Sequence, residues 1–150
     1  MSIDIADAWT LLKARAEAEV TGVTLLFAFE DNYDLPDTPA PFAFFEIVSD
    51  GRGDFIEVGA GRASNRFRNR AMLNAFVFVP VGWGMQAALD AAEPIAKAFR
   101  RYAVPYLKSQ GATVHPVGEG AQLVPPGLSS AAGNYSACVV EIPLYFDQTD

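Results

Sequence analysis

The chain has 150 residues, 51% hydrophobic and 12% aromatic, with a formal net charge of −7. That is one domain with ample material for a core, and it excludes a disordered protein. The acidic balance excludes a general nucleic-acid binder, whose affinity comes from neutralising phosphates, and the single cysteine, Cys138, excludes an intrachain disulfide.

No apolar run approaches the ~20 residues of a membrane-spanning helix. The N-terminus is acidic and amphipathic rather than basic and then apolar, so no signal peptide is expected. The expectation is a chain made in a reducing cytoplasm, without a membrane partner.

The first predicted helix runs from Ser2 to about Glu19, with Ser2 or Asp4 as N-cap and Ile5, Trp9, Leu12 and Ala16 as its apolar stripe. Thr21-Gly22 ends it, and Val23 to Phe29 reads as a strand. From Glu30 to Pro41 the chain gathers Glu30, Asp31, Asp34 and Asp37 among Pro36, Pro39 and Pro41. Prolines at that spacing forbid helix and keep the segment extended. Its four carboxylates suit either a solvated loop or an acidic contact surface.

Phe42 to Ser49 is the next predicted strand, paired as a hairpin with Phe55 to Val58 through the turn Asp50-Gly-Arg-Gly53. The stretch Gly59–Arg70 opens on glycines and then carries Arg62, Arg66, Arg68 and Arg70 with no acid among them. In extended chain, alternating arginines share one face. As surface charges, Arg66 and Arg68 are expected to be replaceable at little cost to the fold.

Ala71 to Val79 reads as a strand apolar on both faces, hence central in a sheet. Pro80 stops it, the turn Val81-Gly82-Trp83-Gly84 follows, and a helix is predicted from Met85 to Tyr102. Its apolar face is Leu89, Ala92, Ala96, Phe99 and Tyr102, with Ile95 beside them. Pro105 breaks the chain, and Gly111 to Val117 is a short predicted strand with Lys108 near its start. Glu119 to Gly133 is a glycine-, proline- and serine-rich loop, long for a domain of this size. The terminal strand alternates clearly: Cys138, Val140, Ile142, Leu144 and Phe146 on one face, Val139, Glu141, Pro143 and Tyr145 on the other. Pro143 lacks a donor, which predicts an edge strand or a subunit border.

The fold class expected is therefore α/β (α+β), a single domain with one mostly antiparallel mixed sheet and two main helices. Its predicted core includes Trp9, Leu12, Phe76, Phe78, Leu89, Phe99, Val140, Ile142 and Leu144.

The residues that carry chemistry are sparse. His115 is the only histidine, and one His with one Cys has no metal-ligand spacing. No Gly-x-Ser-x-Gly elbow occurs. Gly59-x-Gly61 precedes a basic stretch and a strand, where a dinucleotide fingerprint needs a strand before it and a helix after. Gly82-Trp83-Gly84 does lie between strand and helix, but Trp83 fills the space a phosphate would take and no Gly-Lys-Ser/Thr follows. Glu46 and Glu57 on neighbouring strands form a conceivable carboxylate pair, though facing solvent or arginines is the plainer reading. We therefore assign no catalytic, cofactor-binding or metal residues and expect no enzyme. The candidate site is an interface made by Glu30, Asp31, Asp34 and Asp37 and by Arg62, Arg66, Arg68 and Arg70.

Three local patterns, in this order of parts, carry a resemblance. They are the proline-containing segment Pro36 to Phe45 before an aromatic strand, Arg70 before the central strand, and Pro80-x-Gly82-x-Gly84 opening an alanine-rich helix that ends in Phe99. In this the chain resembles the tail terminator (tail completion) proteins of long-tailed phages and phage-like gene transfer particles. The pattern spans nearly the whole chain, so residues 1–150 are read as one such domain. It departs from the family at Ala71, where glycine is common.

The resemblance implies a small subunit of a homo-oligomeric ring, a hexamer, at the head–tail junction of a virion assembled in a bacterial cytoplasm. Such a ring caps the tail tube, stops tube-protein polymerisation and meets the head–tail connector, while DNA passes through its lumen without specific binding. Two other readings stay open. One is a small-molecule-binding or enzymatic α/β domain using the Gly82-Trp83-Gly84 turn. The other, within assembly proteins, is a tail tube or head-completion protein.

Overall fold

The computed structural model describes residues 3–30, 38–49, 55–56, 66–119 and 135–149. In chain order they form α1 (Ile5–Glu19), β1 (Thr24–Phe27), β2 (Phe42–Ser49), β3 (Phe55–Ile56), β4 (Arg66–Pro80) and α2 (Met85–Phe99). The short strands β5 (Ala103–Val104) and β6 (Leu107–Ser109) follow, then β7 (Thr113–Glu119) and β8 (Tyr135–Thr149). The strands form one sheet in the order β1-β2-β4-β8-β6-β5, with β3 also on β4 and β7 also on β8. Only the β1–β2 pair is parallel. The expected α+β domain with a mixed, mostly antiparallel sheet and two main helices is what the chain builds.

The axis of the sheet is the antiparallel pair β4–β8, in register from Arg66↔Thr149 to Pro80↔Tyr135. Odd residues of β4 (Ala71, Leu73, Ala75, Val77, Val79) and even residues of β8 (Cys138 to Phe146) face the helices and form the main core. On the other face Phe42, Phe44, Phe78 and Tyr135 make a second buried cluster, with Phe42 stacked on Phe78 at 4.7 Å and edge-on to Tyr135 at 5.0 Å. Towards its C-terminal end β4 is apolar and buried on both faces, with Val77 and Val79 in the main core and Phe78 in the second cluster.

α1 starts at Asp4, whose Oδ1 accepts from the Asp7 amide at 2.7 Å while Asp7 Oδ2 accepts from the Asp4 amide at 3.2 Å. Its buried stripe is Ala8-Leu12-Ala16 rather than the expected Ile5-Trp9-Leu12-Ala16: Ile5 is exposed, and Trp9 is half-buried, edge-on to Phe27. α2 lays small residues on the sheet, burying Ala88, Ala92, Ile95, Ala96 and Phe99. Small side chains bring the helix close, so Leu89 falls at the rim, half-buried, not in the core. The helix stops at Phe99, short of the expected Tyr102. The Tyr102 amide closes onto the Phe99 carbonyl at 3.2 Å, and Ser109 Oγ donates to that same carbonyl.

Three pairing expectations are corrected. β3 pairs with β4 (Phe55↔Arg68), not in a hairpin with β2. β2 stops at Ser49↔Ala71, leaving the first residues of β4 open on that side for β3. The central strand starts earlier than the expected Ala71, since β4 begins at Arg66 and carries Arg66, Arg68 and Arg70 as strand residues. Finally, β8 is not an edge strand, because β4 lies on one side and β6 and β7 on the other. Pro143 is tolerated because its carbonyl, which accepts from Gln110 N at 2.7 Å, faces the gap where β6 has ended at Ser109↔Leu144 and β7 has yet to begin at Thr113↔Glu141. In an antiparallel strand the N–H and C=O of one residue point to the same side, so the missing donor falls where no ladder bond is needed.

Candidate functional site

Even residues of β4 and odd residues of β8 line the face opposite the helices. Its register puts Arg70, Tyr145 and Lys108 side by side across β4, β8 and β6. Arg68 and Asp147 lie in the next row and Arg66 in the one beyond. Arg66, Arg68, Lys108, Tyr145 and Asp147 border a shallow concavity of about 210 Å³, and Arg70 lies outside it.

Asp147 is its keystone. The side chain is 3% exposed, whereas Arg66 and Arg68 are 35% and 40% exposed. Arg68 grips the carboxylate as a fork, Nε to Oδ1 at 2.9 Å and Nη2 to Oδ2 at 3.1 Å, and Arg66 Nη2 adds a bond to Oδ2 at 2.8 Å. The hydrogen bonds from Arg68, followed by the charges of Arg68 and Arg66, hold the Asp147 carboxyl below its ordinary pKa, against burial, which pushes it up. Asp147 is tied through its backbone as well: its N–H donates to the Tyr106 carbonyl at 2.8 Å, and its carbonyl accepts from Ile3 N at 3.0 Å.

Tyrosines wall the concavity. The Arg68 guanidinium lies 4.2 Å from the Tyr145 ring centre and that of Arg66 lies 5.3 Å from Tyr106. Tyr106 holds a positive φ of 69° in the two-residue turn between β5 and β6. Pro105 precedes it, so only a type II turn fits, a turn whose third position favours glycine. Tyrosine there costs about 1 kcal/mol or more of backbone strain. It places a ring under Arg66 and a carbonyl on Asp147.

The sequence pointed to the arginines but not to their partner. Arg66 and Arg68 are correctly on one face, yet they are not freely replaceable surface charges, because they hold a buried carboxylate of their own chain. Asp147 and Lys108 were missed as members of the site, and the only signal for Asp147 was its parity: it continues the Val139–Tyr145 face of the terminal strand. Arg70 is exposed on the same face. Glu30 lies elsewhere, ion-paired to Lys13 of α1, which also sits 5.0 Å from the Phe27 ring. That bond to Glu30 raises the Lys13 pKa. Asp31, Asp34, Asp37 and Arg62 lie outside the described residues.

The remaining candidates resolve simply. Glu46 accepts from Asn74 Nδ2 at 3.4 Å, and Glu57 is outside the described residues. His115 Nε2 meets Glu141 Oε2 at 3.2 Å, both about half-exposed. Among the described residues no three metal-ligating side chains converge. Cys138 is buried, its Sγ 3.5 Å from the Ala88 carbonyl, and burial pushes the thiol up to about 11. Beside it an apolar cavity of about 300 Å³ opens under the Gly82-Trp83-Gly84 turn, lined by Met85, Leu89, Pro116 and Ala137 among others. Val81, Trp83 and Met85 around that turn are exposed. Compared with known proteins, the chain matches no protein-family model and no curated protein.

Proposed function

We propose that this chain is a ring-forming subunit of the tail-terminator type, which covers the growing end of a phage-like tail tube and joins the finished tail to the head connector. The observation that carries the reading is the order of parts around the Pro80-x-Gly82-x-Gly84 turn. A long central strand ends at Pro80 and an alanine-rich helix opens at Met85 and closes at Phe99. Both glycines have the positive φ, 94° and 89°, that the turn between them demands. The exposed Val81, Trp83 and Met85 at that turn and the cationic rows of β4 give the subunit two surfaces suited to contacts in an assembly.

Polymerising purified tube protein with and without this chain tests the proposal: tubes should stop at a fixed length when it is present and overgrow when it is absent. A second reading has one observation in its favour, the apolar cavity of about 300 Å³ beside the glycine turn, which would suit a small apolar ligand. A ligand that raises the melting temperature of wild type but not of Ala88→Leu, which fills the cavity, would favour it.

A further inference from the structure

We infer that the concavity between Arg66, Lys108, Tyr106 and Tyr145 is a binding site for a small tetrahedral oxyanion of the phosphate class, free or as the monoester of a small organic group. Such a site is independent of the ring-subunit reading.

Cations from two strands line this concavity, Arg66 and Arg68 from β4 and Lys108 from β6. Arg68 closes its Nε–Nη2 edge on Asp147, whose carboxylate is 3% exposed and so shielded from the opening. With Arg68 set against Asp147, Arg66 and Lys108 still bring two positive charges, on a chain whose net charge is −7. Lys108 is exposed and makes no ion pair among the described residues. The fold holds this arrangement at a cost. Tyr106 keeps a φ of 69° to put its ring under Arg66, and Arg66 Nε is buried with no hydrogen-bond partner among the described residues. Strain and an unmet buried donor at one spot point to a place shaped for a ligand rather than for stability.

Geometry and size select the anion. A carboxylate is held best by a planar two-donor fork, and the fork here is Arg68's, already closed on Asp147. Arg66 has its Nη2 on Asp147 and its Nε buried. The concavity therefore offers charge from two sides, an ammonium from β6 and a guanidinium from β4, which suits an anion whose oxygens point in several directions. A phosphate dianion also matches the two positive charges. The volume of about 210 Å³ falls below the roughly 300–1,000 Å³ of pockets for drug-sized ligands. That favours a phosphoryl group with at most a small organic group beside Tyr106 and Tyr145 over a nucleotide.

Isothermal titration calorimetry of the full-length protein tests this with inorganic phosphate, phenyl phosphate and acetate at one ionic strength, at about pH 8, where a phosphate is the dianion. Phosphate should bind, and should raise Tm as its concentration passes Kd, while acetate does neither. Lys108→Gln should melt like wild type, because Lys108 has no part in the Asp147 clamp, yet bind phosphate about tenfold or more weakly through loss of one charge-assisted hydrogen bond. Lys108→Arg should restore most of the binding, and Lys97→Gln, an exposed lysine of α2, should leave it unchanged. Arg66→Gln, which leaves the Arg68 fork on Asp147, should weaken phosphate as Lys108→Gln does; should it fail to fold, the Lys108 variants decide alone. Tighter binding of phenyl phosphate than of phosphate assigns the site to a monoester, and equal binding assigns it to the free ion. Acetate binding as tightly as phosphate overturns the inference, as does phosphate binding that Lys108→Gln leaves unchanged, or no phosphate binding at all. A duplex oligonucleotide or an acidic peptide that binds through Lys108 where phosphate does not would overturn it too. Phosphate binding combined with uncapped tubes would sink the terminator reading alone and leave this site standing.

Discussion

Arg68→Ala should destabilise the protein, because it strips the fork from a carboxylate that stays buried. Removing one partner of a buried ion pair costs about 3–5 kcal/mol. Here the arginine is 40% exposed and solvent screens part of the interaction, and Arg66 still holds Oδ2 at 2.8 Å. About 2 kcal/mol remains. For 150 residues, unfolding entropy of about 2.1 cal/mol/K per residue turns that into a fall of about 6 °C in Tm, read by circular dichroism. The same substitution in an Asp147→Asn background should cost less than about 1 kcal/mol, since no buried charge is then stranded.

The pH dependence has a fixed sign. Asp147 titrates lower in the folded state than unfolded, so the clamp stabilises fully above the ordinary carboxylate pKa, about 4. The stabilisation fades as pH falls through the depressed folded value. The gap between wild type and Arg68→Ala should therefore be constant from about pH 5 upward and close below about pH 4. A variant melting within about 1 °C of wild type at neutral pH, or an equal cost in the Asp147→Asn background, would refute the reasoning.

Gly82→Ala and Gly84→Ala should each cost about 1 kcal/mol through backbone strain alone, as an added Cβ meets nothing within 4 Å at either position; chemical denaturation measures it, and a neutral result would mean the turn relaxes. Phe78→Ala removes a fully buried ring stacked on Phe42 and should cost about 3–5 kcal/mol, with a loss under about 1 kcal/mol showing that the second core contributes little. Ser109→Ala removes one of the two hydrogen bonds that the Phe99 carbonyl accepts, the Tyr102 amide remaining, and should cost about 0.5–1.5 kcal/mol by chemical denaturation. Cys138, buried and with its thiol at about 11, should resist maleimide at pH 8 until the protein unfolds; rapid labelling of the native state would contradict its placement.

What was legible in the sequence was whatever a local period encodes. The bounds of Phe42–Ser49, the alternation of Cys138 to Phe146 and the helical face of Ala92, Ala96 and Phe99 all express one covered face, and all appear where the period puts them. Non-local pairing was not legible. Phe55–Ile56 takes β4 as its partner because β2 stops short, a fact of register between distant segments. Pro143 suggested an edge because the sequence does not show that β6 and β7 leave a gap beside it. The arginines looked like free surface charge because Asp147 lies far along the chain, and nothing local marks Tyr106 as the residue that accepts a positive φ to seat it.

The central claim is that this protein sets tube length by covering the end of the tube. Its most direct measurement is the length distribution of tail tubes in negative stain, polymerised from tube subunits with increasing amounts of this chain. The account predicts short tubes of narrow length distribution, each carrying one ring at one end, at substoichiometric addition. Tubes of unchanged length with bare ends would contradict it.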